Sequence, residues 1–333
     1  MTLRVGEVVE VRSEQEILDT LDDLGTLDGL PFMPEMLRFC GQRFRVRKSA
    51  HKTCDTIAHG PLRQMRGGAA VHLEGTRCPG SFHDGCEAGC ELFWKEAWLR
   101  PVEDQRAPQP RPAAAGPTKS QLVQLTRQPH QNGTPLYRCQ ATEMLKATAP
   151  LSPWNARQYV RDVRSGNVRP WDLFKSLCWS VFRWLTEHVR GFKVQVWLFN
   201  KIQRLRGGSP FRMLATDRSS TPKEQIGLEP GECVSVKGVD AIKATLDTAQ
   251  KNRGLYYDLE MTIYSGQQHA VDARIKRIID EPTGRMLTLP GDCILLKNVV
   301  CTGRYHRYCP RAINSYWREI WLQRAGREGE AQS

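Results

Sequence analysis

The sequence predicts an α+β protein in which two copies of one small β-barrel module flank a mostly helical middle. Three observations predict it. The two ends of the chain repeat each other, the repeat contains stretches of period-two alternation, and apolar residues recur at helical spacing between the copies.

The repeat joins Gly6–Leu99 to Gly231–Leu322. At an offset of 225, Gly6-Glu-Val-Val-Glu-Val11 answers Gly231-Glu-Cys-Val-Ser-Val236, and Ile17, Thr20, Leu21 and Asp22 answer Ile242, Thr245, Leu246 and Asp247. Gly29-Leu30 and Glu35-Met36 answer Gly254-Leu255 and Glu260-Met261. A two-residue deletion then changes the offset to 223, at which Cys78, Gly80, His83 and Cys86 answer Cys301, Gly303, His306 and Cys309. Trp94, Glu96, Trp98 and Leu99 answer Trp317, Glu319, Trp321 and Leu322. Chance does not produce so many matches in one order with one gap.

The second copy shows the elements more plainly. Glu232–Val236 reads as a strand and Val239–Asn252 as a short helix with Ile242 and Leu246 inward. Val271–Ile279 alternates apolar and polar residues. Asp280–Gly284 is a turn, because Pro282 and Gly284 supply the backbone angles it needs. Arg285–Leu289 and Cys293–Val300 continue as strands, and Tyr316–Leu322 closes the module with aromatic residues suited to a pleated surface. Five short strands with an early helical insertion predict a strongly bent barrel of the SH3-like kind. The matched tryptophans and leucines are its core.

Between the copies, Arg106–Lys119 is rich in proline and alanine and reads as a linker. Leu136–Ala147 and Asn155–Ser165 read as short helices. From Pro170, residues Leu173, Leu177, Val181, Leu185 and Val189 recur at helical spacing. The chain thus divides into a first module at 1–103, a linker at 104–120, a helical middle at 121–228, a second module at 229–326 and a disordered tail at 327–333. The stretch 170–206 sets Trp179, Trp184 and Trp197 beside Lys175, Arg183, Arg190, Lys193, Lys201, Arg204 and Arg206. Such a helix either packs against the barrels with its arginines wet or lies on an anionic membrane surface.

No run of eighteen residues is free of charge, which argues against a transmembrane helix, and the start lacks the apolar core of a secretory signal. A cytoplasmic location is the expectation. There the eleven cysteines, an odd number, are poorly explained by disulfides. The net charge of +12 favours polyanions or an anionic surface without naming either.

The cysteines concentrate in the first copy, as Cys54 followed by Cys78-Pro-Gly-Ser-Phe-His83-Asp-Gly-Cys86-Glu-Ala-Gly-Cys90. Thiolates are soft donors suited to zinc or to iron and iron–sulfur clusters, and Gly80, Gly85 and Gly89 let backbone wrap a small centre. The expected ligands are Cys54, Cys78, Cys86 and Cys90, with His83 as an alternate and Cys139 as a further donor from the middle. Zinc is expected before iron, because zinc is the common structural choice for such a loop. The second copy keeps Cys301, His306 and Cys309 but has Ile279 and Ile313 in place of Cys54 and Cys90, so it reads as a vestigial site. Cys293 falls on a strand; Cys40, Cys178 and Cys233 read as core.

A phosphate loop, a dinucleotide fingerprint, a His-Glu-x-x-His pair and a nucleophile elbow are all absent from the sequence. The repeated carboxylates Glu35 and Glu260, and Glu96 and Glu319, more readily hold turns than catalyse. The motifs Gly-Leu-x-x-x-x-Glu-Met, Cys-x-Gly-x-x-His-x-x-Cys and Trp-x-Glu-x-Trp, each present twice, resemble uncharacterised bacterial proteins with a duplicated SH3-like module and a Cys-rich loop. That resemblance implies a fold and no activity. The expected function is a zinc-binding accessory or adaptor protein whose tandem barrels engage a protein partner. The alternatives are a thiolate-ligated metalloenzyme of iron or zinc in bacterial small-molecule biosynthesis, and a basic nucleic-acid-binding protein.

Overall fold

In the computed structural model, the described residues are 3–58, 60, 62–102, 116–129, 133–175, 220–289 and 293–325, with isolated positions between 178 and 205. The fold is mixed α+β. Two five-stranded antiparallel sheets dominate it, and they have the same strand order. In the first, Trp94–Lys95, Ala70–Leu73, Arg43–Ser49, Val8–Val11 and Leu99–Pro101 lie side by side. In the second, the order is Asn314–Arg318, Cys293–Val300, Gln268–Arg274, Cys233–Val236 and Leu322–Arg324.

The registers match as well as the order. Val9 faces Phe44 as Val234 faces His269, Val46 faces Leu73 as Val271 faces Leu296, and Val71 faces Trp94 as Ile294 faces Trp317. Strand alternation puts Val9 and Val11, and Val234 and Val236, into the two cores. All four motif tryptophans, Trp94, Trp98, Trp317 and Trp321, are fully buried. Phe32 meets Trp98 edge-on at 5.2 Å, and Tyr257 meets Trp321 in the same way at 5.2 Å. Each second tryptophan of the motif donates its indole N–H to a repeated threonine, Trp98 to Thr20 at 3.0 Å and Trp321 to Thr245 at 2.9 Å.

The repeated polar residues hold turns. Asp22 accepts the backbone N–H groups of Leu24 and Thr26, and Asp247 those of Ala249 and Lys251. Glu96 accepts from Leu3 N–H at 2.9 Å, and Glu319 from Ile226 and Gly227 N–H, so both glutamates fasten the segment that precedes the first strand of a sheet. Both bond to main chain, and Glu319 also pairs with Arg274 at 2.6 Å.

Element boundaries depart from the sequence reading in five places, the first being Val271–Ile279, which is split between the strands Gln268–Arg274 and Arg277–Ile279. The helix after the first strand of the second copy is only Val239–Lys243, because the chain then turns into the short strand pair Lys251–Asn252 and Leu255–Tyr256. Tyr316–Leu322 is interrupted by a 3-10 turn at Glu319–Trp321. In the middle, Leu136–Tyr137 is a strand and only Met144–Ala147 of the helix predicted over 136–147 is helical, whereas the helix expected at Asn155–Ser165 is present as Ala156–Arg164, with Asn155 as its cap. The end of the linker is structured, since Thr118 caps the helix Lys119–Leu125 with a reciprocal bond to Gln121.

The described middle is not a separate helical layer. Thr148–Pro150 pairs with Arg63–Met65 of the first copy, extending its hairpin with Lys52–Thr53 to three strands. Leu122, Met144 and Ala147 join the first copy's core. Most of 170–206 and the tail lie outside the described residues, as does most of the linker; among the described residues no helix is long and apolar enough to cross a membrane.

The two copies meet through matched contacts. Cys54 N–H donates to Cys309 Sγ at 3.1 Å, and Ile279 N–H donates to Cys86 Sγ at 3.4 Å. Position 54 corresponds to 279 and position 86 to 309, so each copy inserts the end of a hairpin strand into the other's cysteine loop. Thr56 bonds to Glu281, its own repeat counterpart, and Arg311 donates to Thr56 at 2.6 Å and to Glu281 at 2.7 Å. The contacts between the two halves are therefore reciprocal.

Candidate metal centre

Each cysteine loop is closed at its base and folded tightly by the same bonds. Cys78 N–H donates to Cys90 O at 2.9 Å, and Cys301 N–H to Ile313 O at 2.8 Å. Inside the loops Gly80 O accepts from His83 N–H at 3.0 Å, and Gly303 O from His306 N–H at 3.0 Å. Both glycines have positive φ, and a Cβ at Gly80 would stand 2.0 Å from Cys86 O. Only glycine allows that approach.

Glu35 and Glu260 hold these loops from below. Glu35 Oε1 accepts from Phe82 N–H at 3.0 Å, and Glu260 accepts from the N–H groups of Thr302 and of Tyr305, the counterpart of Phe82. His83 is buried with both ring nitrogens facing acceptors, Nδ1 to Glu35 at 2.6 Å and Nε2 to Arg138 O at 3.0 Å. The contact with His83 keeps the Glu35 carboxyl below its usual range although burial opposes this. Glu35, Cys78 and His83 are the tightest group of potential ligand atoms among the described residues, all within 4.8 Å. Glu35 Oε1 is shared by His83 and Phe82 N–H and positions the loop, while Glu35 Oε2 is buried without a hydrogen-bond partner among the described residues, so Glu35, Cys78 and His83 stand as an alternative ligand group.

The thiols gather on the other side of the loop. Cys78, Cys86, Cys90 and Cys139 line one cavity of about 30 Å³, together with Ile279 and Arg311. That is room for an ion or a single water, and the thiols stand wider apart than the Glu35 group, so an ion would draw them inward. Cys139 is delivered by Gln140, whose side chain donates to Pro31 O at 3.0 Å and Phe93 O at 2.9 Å and accepts from Phe93 N–H at 2.8 Å. Sequence spacing gave Cys139 only as an extra donor; its place beside the loop follows from this buried amide.

Main-chain N–H groups point at the sulfurs. Gly80 N–H donates to Cys78, and those of Ala141 and Thr142 to Cys139, which favours thiolates. Burial works the other way, pushing the Cys139 thiol up to about 11 and Cys90 to about 12. A cation held there would supply the missing positive charge and displace the thiol protons.

Cys54 is not part of this group. The reciprocal crossing carries it to Cys309, and Ile279 takes the corresponding place at Cys86. Cys54 lies beside Cys309, with Cys301 at the base of the same loop and the three thiols not all within 4.8 Å of one another, while His306 turns Nε2 to Asp258 at 3.1 Å. Cys293 is buried with Ile275 and Leu295. Cys40 is half-buried, but Cys178 and Cys233 are exposed and not core; strand alternation turns Cys233 out because Val234 and Val236 turn in. Comparison of the chain with known families, with curated proteins and with solved structures gives no match.

Proposed function

We propose that the chain is a zinc-binding accessory protein, in which one zinc ion is held by Cys78, Cys86, Cys90 and Cys139 and two SH3-like modules serve a protein partner. The observation that carries the zinc reading is the convergence of four thiols from two separate stretches on one ion-sized cavity, with main-chain N–H groups aimed at two of them. Four thiolates complete a tetrahedron and leave no position for substrate, which favours a structural ion over a catalytic one. Such an ion would tie the loop to the segment around Cys139. Arg311, buried at the cavity wall, offsets part of the negative charge of a four-thiolate centre.

The adaptor part of the reading rests on the doubled small sheets, whose polar repeats are engaged in holding turns. The test is metal content of protein purified under reductant, in the native chain and in Cys139→Ser. Loss of one equivalent of zinc in the variant is expected; equal zinc in both overturns the site. Bound iron with a visible charge-transfer band would replace the reading with redox chemistry.

A further inference from the structure

The second cysteine loop has lost two thiols of its own copy, yet the first copy returns one. Cys54 N–H donates to Cys309 Sγ at 3.1 Å, and Cys54 packs against the small buried cluster that contains Cys309. Cys309 is 4% exposed and takes a second main-chain N–H, from Arg311. Cys301, at the base of the same loop, accepts Gly303 N–H as Cys78 accepts Gly80 N–H. A Cβ at Gly303 would stand 2.4 Å from Cys309 O, so the tight loop geometry is kept here too. A loop relieved of ligand duty has no need of these sulfur-directed donors.

From this geometry we infer that Cys54, Cys301 and Cys309 form a second zinc centre, assembled from both copies, with three thiolates and one position for an exchangeable ligand. Ile313 stands where Cys90 stands in the first loop, and among the described residues no cysteine takes the part of Cys139. Three protein ligands and an open position are the arrangement of zinc sites that exchange a small ligand or act on one. Arg311 lies close to Cys54 and Cys309 on one side and Cys90 on the other, a buried cation between two thiolate groups. Binding is a ligand exchange without redox change, in which the ion displaces the thiol protons. The inference extends the zinc reading but rests on different residues, so the two can fail separately.

The experiment is cobalt(II) titration of the reduced, metal-free full chain, followed by its visible bands, with Cys54→Ser and Cys139→Ser alongside. Two equivalents in the native chain and one in each variant are expected. In Cys139→Ser the remaining bands should shift on adding imidazole, and in Cys54→Ser they should not. One equivalent in the native chain, kept in Cys54→Ser and lost in Cys139→Ser, overturns the second centre and leaves the first. One equivalent lost in Cys54→Ser and kept in Cys139→Ser leaves the second centre alone standing. If Cys54→Ser does not fold, Cys301→Ser gives the same reading. Peptide mapping that finds Cys54 and Cys309 joined as a disulfide in the non-reduced protein also overturns it.

Discussion

Replacing Val299 with threonine is expected to stabilise the second module, although it puts a hydroxyl into a buried position. The reason lies in the matched tryptophans. Trp94 donates its indole N–H to Thr76 Oγ1 at 3.1 Å, and Thr76 in turn donates to Leu73 O at 3.0 Å. In the second copy Trp317 is equally buried, but Val299 occupies the position of Thr76 and the Trp317 indole N–H has no partner among the described residues. A buried donor without a partner costs about 1–3 kcal/mol. Burying a lone hydroxyl costs a similar ~1–3 kcal/mol, but here it meets a waiting donor in a nearly isosteric side chain. The hydrogen bond should leave a net gain of about 0.5–1.5 kcal/mol. Thr76→Val, the mirror change, should cost about 1–3 kcal/mol. Urea unfolding followed by tryptophan fluorescence reads both as shifts of midpoint at unchanged slope. A Val299→Thr protein less stable than the native chain, or a neutral Thr76→Val, would refute the argument that the indole's missing partner is what matters.

Three further outcomes follow from buried polar groups. Burial depresses His51 and His72 to about 3; the unfolded chain takes up protons near pH 6.5 that the folded one refuses, so stability present above pH 6.5 falls as pH drops toward 3. The slope should approach about 1.4 kcal/mol per pH unit for each histidine, read from urea midpoints across that range, and His72→Gln should flatten it. Lys52 and Asp162 form a fully buried ion pair. Asp162→Ala should cost about 3–5 kcal/mol by leaving the ammonium alone, and the double change Lys52→Met, Asp162→Leu should recover most of it in the same assay. Glu35→Gln loosens His83 and Phe82 under the first loop, and competition with a chelator should show zinc held about 10–100-fold more weakly; unchanged affinity would mean that the loop holds its shape without this carboxylate.

Much of the module was legible because its signals are local. Cys293–Val300 is a strand over the residues expected, and the short helix expected at Asn155–Ser165 is present as Ala156–Arg164. The middle was harder to read, because the apolar spacing in Leu136–Ala147 is equally that of a short strand followed by one helical turn, and pairing with Arg63–Met65 decided the rest. At the candidate site the loop glycines and Glu35 could be read, whereas the partners of the thiols could not. Cys54 is 24 residues from Cys78 in sequence, yet the hairpin that carries it points into the other copy. One signal was present. Cys301 and Cys309 persisted without a third thiol of their own, while the first copy held one more than a four-ligand site needs once Cys139 is counted.

The reciprocal insertion of position 54 into one loop and position 279 into the other has the form of an isologous contact, made here within one chain. In a dimer of identical protomers, any change at the crossing appears twice and both loops must accept it. A single chain carrying both copies is free of that constraint, and Cys54 opposite Ile279 is the divergence it permits. Each half therefore carries a residue selected for the other half's loop. A single half produced alone would present an unfinished loop and an unclaimed strand end, complementary to those of a second identical half. Isolated halves should consequently assemble in pairs, and the full-length chain should not.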